Sequence, residues 1–252
     1  MIQLLRRSLG LGVLFALLLV PSAGGQDDDS LSVLVFSKTN GYRHAAIPTG
    51  ITALRELGAA HGLRIVATQD STAFRSGRLS GIDVVVFLNT TGNVLGPRGQ
   101  EALRTFVENG GGFVGVHAAS DTEYDWNWYG RLIGAYFDGH PAVQEATVRV
   151  ETRTPSTRML PNPWIRRDEW YDFRSNPRDE VQVLLTLDES TYDGGTMGDD
   201  HPIAWRHTVG DGRAWYTAGG HTHTAYRSRL FRQHLLGGLR WAAGRARQPG
   251  SE

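Results

Sequence analysis

Apolar residues recur along this chain in short, nearly continuous runs that alternate with stretches of helical spacing. The run at residues 31–37 is typical of a strand buried on both faces, as in a parallel sheet, and residues 63–68 and 83–88 are predicted as the second and third strands. Between the first two runs, residues 47–61 repeat their apolar side chains at the spacing of one helix face. This alternation predicts right-handed β-α-β units in an α/β sheet.

The second half of the chain has a different pattern, in which strands follow one another with few helices between them. A helix over residues 99–109 first leads into a buried strand that ends at His117. Further strands are expected at residues 147–151, 181–187, 203–208 and 213–218, and a closing helix at residues 226–243. The predicted fold is therefore a doubly wound, mostly parallel α/β sheet with helices on both faces and added antiparallel strands in the second half.

The N-terminus has the features of an export signal. Arg6 and Arg7 precede an apolar run at residues 11–20, and small residues follow at positions 21–25. We expect a signal peptide over residues 1–25 and therefore an exported protein, periplasmic or secreted. The apolar run is short for a bilayer span, which argues against stable membrane insertion after processing, and a retained anchor is the alternative.

The rest of the chain is expected to form a single domain over residues 31–244, with flexible segments at residues 26–30 and 245–252. The sequence has 26 Lys and Arg against 26 Asp and Glu, so removal of the signal leaves a small acidic excess. That balance gives no electrostatic surface for nucleic acid. The chain has no cysteine and therefore no disulfide and no thiol nucleophile.

Residues 110–121, GGGFVGVHAASD, form the most informative segment of the sequence. A buried strand runs into a sharp turn of small residues, and His117 stands at that turn. Turns of this kind present one side chain above the carboxyl edge of an α/β sheet, where ligands bind. An imidazole in that position can act as a base, an acid or a metal ligand. The alternative is a histidine with a purely structural role, whose ring nitrogens are hydrogen-bonded within the protein.

Other polar loops should meet His117, because the carboxyl ends of parallel strands share one edge of a sheet. Arg43 and His44 follow the first predicted strand, Asn89 follows the third, and Asp121 comes four residues after His117. We predict that these side chains line one pocket. Helix capping with incidental charge is the alternative for Arg43 and His44.

Aromatic side chains mixed with amides and carboxylates predict a sugar-binding surface. Residues 124–129 hold four aromatic side chains, among them Trp126, and aromatic faces pack on the C–H surfaces of sugars. Glu169 and Tyr171 would point the same way on a strand, and a carboxylate beside a tyrosine suits acid–base chemistry. Core packing of the rings and a solvated carboxylate are the alternatives.

Several histidines occur in rigid or glycine-rich surroundings, and some of them are candidate metal ligands. His140 and His201 each precede a proline, which favours extended backbone, although an ordinary turn is the alternative for either one alone. The possible site for a divalent metal such as zinc consists of His44, His117, His201 and His221, together with Glu169. No His-Glu-x-x-His motif supports this site, so the cofactor is left open.

Six short segments, in their order and spacing, resemble the trehalose-utilisation, or ThuA-like, domain family across about residues 31–244. These segments are residues 41–44, 110–117, 140–141, 168–171, 200–205 and 220–222. The resemblance implies a flavodoxin-like fold related to class I glutamine amidotransferases. Those relatives carry a cysteine where His117 stands, so this chain cannot hydrolyse glutamine by their mechanism.

The resemblance also implies a role in carbohydrate catabolism, with a small-molecule sugar or 3-keto-glycoside as the partner. We predict an exported enzyme that acts by elimination, isomerisation or hydrolysis. His117 or Glu169 would be the acid–base residue, and Arg43 or a bound metal would stabilise an oxyanion. The catalytic group would be His117, Glu169, His44 and Arg43. The substrate contacts would be Asn89, Asp121, Trp126, Tyr171, His201 and His221.

Two other functions remain open at this point. A non-catalytic carbohydrate-binding module would hold sugar on its aromatic rings, and a metal-dependent hydrolase would use the same histidines. The exposed aromatic side chains could equally form a homodimer interface.

Overall fold

The computed structural model describes residues 30–75 and 77–244. The expected signal peptide at residues 1–25, nearly all of the expected flexible segment 26–30, and the expected tail at residues 245–252 lie outside the described residues. Within the two described ranges, no helix combines the length and the apolar character needed to cross a membrane.

Strands make up the centre of the domain and helices pack around them. The strands are β1 (Leu31–Phe36), β2 (Leu63–Thr68), β3 (Val84–Leu88), β4 (Gly112–Val116), β5 (Phe137–Gly139), β6 (Gln144–Val150), β7 (Trp164–Asp168), β8 (Asp172–Phe173), β9 (Gln182–Asp188), β10 (His201–Val209) and β11 (Gly212–Thr217). The α-helices are α1 (Ile47–His61), α2 (Pro97–Glu108), α3 (Asn127–Ile133), α4 (His223–Arg227) and α5 (Arg229–Ala242).

Nine of the strands form one mixed sheet in the order β2-β1-β3-β4-β11-β10-β9-β6-β7. The first five are mutually parallel, and their order is that of flavodoxin-like doubly wound sheets, with β11 in the fifth place. The predicted α/β fold class is thereby confirmed. The remaining four strands add in antiparallel fashion, so the antiparallel part is nearly as large as the parallel part.

Helices cover both faces of the parallel strands, as two glycines of β4 demonstrate. Gly112 and Gly115 point to opposite faces because their spacing is odd. A Cβ at Gly112 would lie 2.7 Å from the backbone of Ala242 in α5, and one at Gly115 would lie 2.6 Å from Ile133 in α3. Both helices therefore approach β4 closely, one on each face.

The antiparallel half curls back toward the parallel half. A bulge interrupts the pairing of β10 with β9 between Pro202 and Trp205. Asp168, at the end of β7, accepts hydrogen bonds from the backbone of Gly220 and His221, which directly follow β11. Three strands separate β7 from β11 in the sheet, so only a strongly curved sheet brings their ends together.

Three local features differ from the pattern predicted by the sequence, one of them the unpredicted pair of short strands β5 and β8, which form a separate two-stranded sheet. The closing helix expected over residues 226–243 is two helices, because Ser228 has extended backbone and its hydroxyl caps α5 by accepting from the N–H of Phe231. Strand β7 was not predicted. The apolar Ile165 is exposed and two arginines follow it, so the sequence does not show the alternation of apolar and polar residues that is typical of a strand.

Replacing Gly112 with alanine should lower the free energy of unfolding by about 1–3 kcal/mol, because the new methyl group would overlap the backbone of α5. Denaturant unfolding measures this change. Gly139→Ala is the matched control, since nothing lies within 4 Å of a Cβ at that strand glycine. Its effect should stay within about 0.5 kcal/mol. Equal stability of the two variants would contradict the close approach of α5 to β4.

Candidate functional site

His117 lies directly after β4 in a left-handed backbone conformation, with φ of 51°, and is fully buried. Its Nδ1 lies 2.7 Å from the carbonyl oxygen of Ala218. A carbonyl only accepts, so Nδ1 carries the proton and donates, and in the neutral ring the lone pair is on Nε2. Tyr171 packs beside the ring with a centroid distance of 4.1 Å. The backbone strain and the buried contacts fix the direction of Nε2.

Two further histidines converge on His117 from other loops of the same sheet edge. His44 follows β1, and its ring is edge-on to His117 at 4.8 Å and to His221 at 5.1 Å between centroids. His221 follows β11, and its ring lies 5.3 Å from that of His117. The three rings therefore form one cluster. The shared edge of the strands predicted the meeting of His44 with His117, and His221 was predicted only as a possible ligand of the same metal.

Glu169 completes the cluster from the loop after β7. Its Oε2 lies 3.3 Å from Nε2 of His117 and 2.9 Å from Nδ1 of His221. Its Oε1 lies 3.2 Å from Nδ1 of His140. The carboxylate is buried and thus bridges three imidazoles.

Three ring nitrogens of this cluster are buried without a hydrogen-bond partner among the described residues. They are Nδ1 of His44, Nε2 of His117 and Nδ1 of His221. The last two lie within ion-pair distance of Glu169, but the directions of the contacts do not meet hydrogen-bond geometry. The close contacts of His117 and His221 with Glu169 are therefore ion-pair contacts, whereas Nδ1 of His44 has no polar contact among the described residues.

Burial and mutual charge set the protonation of the cluster. Burial, reinforced by His117 and His221, lowers the pKa of His44 to about 3. Burial alone would raise the pKa of Glu169, but the proximity of His117 and His221 outweighs it and holds that pKa well below its usual range. Glu169 in turn raises the pKa of His221 against the effect of burial. At neutral pH the cluster therefore contains an ionised carboxylate and a neutral His44.

Asp168 sets the positions of two members of the cluster through their backbone. Its Oδ1 accepts from the N–H groups of Glu169 and His221, each at 3.1 Å, and its Oδ2 accepts from the N–H of Gly220 at 2.9 Å. Its charge is balanced by Arg166, whose side chain is only 10% exposed and whose guanidinium also lies 4.8 Å from the ring of Phe231. Asp168 thus acts as a backbone clamp between the ends of β7 and β11.

The cluster fits a divalent cation. His44, His117, Glu169 and His221 each offer one ligand atom, and these atoms all lie within 4.8 Å of one another. Tetrahedral ligands about 2.1 Å from a zinc ion lie roughly 3.4 Å apart, so small side-chain movements would complete such a site. Three imidazoles and one carboxylate suit zinc and also other first-row transition metals.

His201, expected to join this cluster, lies in a different one. Its Nδ1 is 2.7 Å from Oε1 of Glu189, and its Nε2 is 2.8 Å from the carbonyl oxygen of Tyr171. Both nitrogens of His201 therefore have partners. Asp172 and Glu189 complete this second group. Its effect is to hold the backbone of Tyr171, whose ring packs on His117.

The other expected site residues have partners of their own. Asn89 is fully buried, and its amide donates to the carbonyl of Gly220 and accepts from the hydroxyl of Tyr226. Asp121 accepts from Tyr124 at 2.8 Å, and burial raises its pKa. These two side chains support the loops around the cluster.

The arginine and the tryptophan expected at the site lie toward the surface. Arg43 is exposed, with its guanidinium 3.5 Å from the carbonyl oxygen of Ser37. Trp126 is half-buried and stacks on Trp128 with a centroid distance of 4.9 Å. No contact among the described residues joins either side chain to the histidine cluster.

His140 is the functional candidate that sequence reasoning assigned only to a turn. It reaches Glu169 while its side chain stays 41% exposed, so it lies at the opening of the cluster. The signal was present, since proline after His140 favours an extended, fixed histidine. The identical His–Pro sequence at residue 201 gave no means of telling the two apart.

A separate groove of about 1560 Å³ runs along α2, from residues at its start such as Pro97 to residues just after its end such as Asn109. The groove contains none of the clustered side chains. The histidine cluster is the better candidate site because the unpartnered polar atoms are found there.

This architecture defines an α/β protein of flavodoxin-like fold with a histidine–glutamate cluster at the carboxyl edge of its parallel strands. A family model described as trehalose utilisation (ThuA) matches residues 32–242. The chain therefore belongs to the ThuA family. A comparison with curated proteins found no match.

Solved structures of ThuA-like proteins share this fold. One from Bacteroides uniformis has a TM-score of 0.73 and 24% identity, covering 88% of this chain and 94% of its own. One from Parabacteroides merdae has a TM-score of 0.72 and 20% identity, covering 87% of this chain and 92% of its own. A β-galactosidase from Bacillus circulans, with a TM-score of 0.57 and 13% identity, matches 85% of this chain over 31% of its own length. At these identities the likeness is one of fold.

Acid should destabilise the metal-free protein through His44. The unfolded chain binds a proton at His44 below about pH 6.5 while the folded protein does so only near pH 3, so stability falls as the pH falls between these values. Glu169 adds to this loss only below its ordinary pKa, and His221 acts in the opposite sense above pH 6.5. His44 therefore dominates the contribution of the cluster between about pH 6.5 and 4.5.

The measurement is the free energy of unfolding between those two pH values, with a chelator present. His44→Gln should reduce the slope by up to about 1.4 kcal/mol per pH unit. His61→Gln is the control, because His61 is exposed at the end of α1. A slope in His44→Gln as steep as that of the wild-type protein would refute the buried, neutral state of His44.

Proposed function

We propose that this protein is a metal-dependent enzyme that acts on a keto derivative of a sugar. The observation that carries the proposal is the cluster of His44, His117, Glu169 and His221, whose candidate ligand atoms all lie within 4.8 Å of one another. Each of the three histidines has a buried ring nitrogen that makes no hydrogen bond among the described residues. The ThuA family relates the chain to carbohydrate use. The keto-glycoside substrate and the reaction are the proposed refinements of that broader role.

The energetic argument for a cation is the cost of the free nitrogens. A buried polar atom without a partner costs roughly 1–3 kcal/mol, and Nδ1 of His44 is such an atom. The buried nitrogens Nε2 of His117 and Nδ1 of His221 have only the ion-pair contact with Glu169. A divalent ion would satisfy all three at once and neutralise Glu169. A purely structural cluster would be expected to pair these atoms with neighbours, as the protein does for both nitrogens of His201.

His140 is the side chain best placed to move a proton. Its Nδ1 lies 2.9 Å from the carbonyl oxygen of Pro141 and 3.2 Å from Glu169. Since both of these groups accept, Nδ1 carries a proton and the lone pair of the neutral ring is on Nε2. The partly exposed ring can therefore take a proton from a substrate at the opening of the cluster.

The proposed reaction is elimination from a 3-keto-glycoside. The keto group acidifies the neighbouring C2–H, and the glycosidic C1–O bond is β to the same carbonyl. His140 takes the C2 proton, the C–H electron pair forms the C1–C2 double bond as the C1–O bond breaks, and His140 returns the proton to the leaving alcohol oxygen. When bound, a divalent ion would polarise the keto oxygen as a Lewis acid.

The cellular setting is also part of the proposal. Residues 1–25 have the sequence features of an export signal, so we propose that the enzyme acts outside the cytoplasm. The second candidate function is that of a carbohydrate-binding module. The half-buried Trp126 and the exposed Tyr42 favour it, because aromatic rings at the surface can pack against a sugar. A module of this kind would need neither the metal nor His140.

Purified protein should contain about one divalent metal ion per chain, and His221→Ala should lose most of it because one of four ligands is removed. Elemental analysis after dialysis measures this directly. His223→Ala is the control two residues away, since His223 is exposed and contacts Thr49 instead of the cluster. Metal-free wild-type protein that also fails to bind added zinc would overturn the metal site.

Replacing His140 with alanine should lower kcat on methyl 3-keto-glucoside by about 10²–10⁴-fold, because the group that transfers the proton is removed. The metal content should not change. Release of methanol measures the rate, and His223→Ala again serves as the control. Wild-type turnover in His140→Ala would assign the proton transfer to another residue.

A further inference from the structure

We propose that Tyr42, together with Asn40, Asn93 and Asp125, forms a pyranose-binding subsite on the rim of the histidine cluster. These four residues are all exposed. The inference rests on the proposed function for the class of ligand, and it adds where the sugar ring is held. It concerns surface side chains that neither the metal site nor the proton transfer uses.

Tyr42 is an aromatic side chain with 66% of its surface exposed, next to the proposed metal ligands. Its ring is edge-on to His44, with 4.8 Å between centroids. The other large exposed apolar side chains among the described residues, Val66, Met159 and Ile165, make no ring contact with the cluster. An exposed aromatic ring at the mouth of a polar site is the usual platform for the apolar face of a sugar.

The backbone under Tyr42 is held rigidly by one buried threonine. The hydroxyl of Thr91 donates to the carbonyl of Tyr42 at 2.9 Å and accepts from the N–H of Gly41 at 3.2 Å. The carbonyl of Thr91 accepts from the N–H of Asn40 at 2.8 Å. Because Thr91 is fully buried, the backbone that carries Tyr42 is fixed before any ligand arrives. Such pre-organisation reduces the entropy lost on binding.

Polar side chains continue the rim beside Tyr42. The amide of Asn40 donates to the carbonyl of Asn93, and the amide of Asn93 donates to Oδ2 of Asp125 at 3.0 Å. These residues come from three different loops, yet they form one connected line at the surface. Amides and carboxylates arranged beside an aromatic face provide the donors and acceptors that sugar hydroxyls require.

The position of the rim determines which sugar unit it holds. A pyranose stacked on Tyr42 lies next to His44, and therefore beside the carboxylate and imidazoles rather than among them. The subsite consequently holds the ring that neighbours the reacting group. A glycoside with two sugar rings should gain more from this subsite than a methyl glycoside does.

The test compares Tyr42→Ala, Tyr42→Phe and the control Met159→Ala, whose residue is exposed in a different loop. Calorimetry measures the dissociation constants of two unreactive probes, trehalose and methyl α-glucoside. Tyr42→Ala should weaken trehalose binding about five- to tenfold, because an aromatic stacking contact is lost. Tyr42→Phe keeps the ring and should bind within about twofold of wild type, as should Met159→Ala.

A second variant tests the polar line independently. Asn93→Ala removes the amide that donates to Asp125, whereas the backbone carbonyl that accepts from Asn40 remains. This variant should weaken trehalose binding severalfold, while its metal content and thermal unfolding stay those of the wild-type protein. Circular dichroism confirms that each variant is folded. Equal loss of both probes in all variants would indicate a general structural effect and would count against the subsite.

The outcomes separate this inference from the proposed enzyme. Unchanged trehalose binding in Tyr42→Ala, or no binding by wild-type protein, would overturn the subsite whatever the metal content. Weakened binding in Tyr42→Ala would support the subsite even in a protein that holds no metal. In that second case the protein would be a sugar-binding module, and only the proposed enzymatic activity would fail.

Discussion

The site depends on the carboxylate of Asp168 more than on any other single group. Glu169 and His221 come from strands that lie far apart in the sheet, and Asp168 accepts from the backbone N–H of both. Hydrogen bonds to an ionised carboxylate are about twice as strong as those between neutral groups. The cost of burying Asp168 is offset because Arg166, which packs on the ring of Trp164, neutralises its charge. The curved sheet and the cluster are therefore stabilised by the same contact.

The same constraint explains why the cluster can be so polar inside the protein. Burying imidazoles or a carboxylate is costly unless they are paired. Here the carboxylate and the imidazoles are buried together, and the contacts between them offset part of that cost. Glu169 stays ionised because His117 and His221 are close, and His44 stays neutral because the same neighbours and burial disfavour its charge. An ionised oxygen ligand and a neutral nitrogen ligand are the states in which Glu169 and His44 would bind metal, whereas the raised pKa of His221 means that a metal ion would compete with a proton there.

Local patterns in the sequence predicted much of the fold and of the cluster, and long-range pairing accounts for the rest. Continuous apolar runs identify strands buried on both faces, and the shared edge of such strands predicted that His44 and His117 meet. Strand β7 was not predicted, because its own apolar and polar residues do not alternate clearly. Its position is set by pairing with β6 and by the curvature of the sheet. The residue types of Glu169 and His117 therefore predicted that both take part in the chemistry. The contact between them could not be predicted, because it depends on where β7 lies in the sheet.

The two His–Pro corners make the same point about context. His140 and His201 have the same local sequence, and proline gives both the same extended preference. His201 leads into a central antiparallel strand and is fully buried, where Glu189 and the carbonyl of Tyr171 occupy both of its nitrogens. His140 follows a short edge strand and stays partly exposed, so one nitrogen can exchange protons with a ligand. The sequence does not reveal burial or hydrogen-bond partners. These decide that His201 holds the backbone of Tyr171 in place, whereas His140 can transfer a proton.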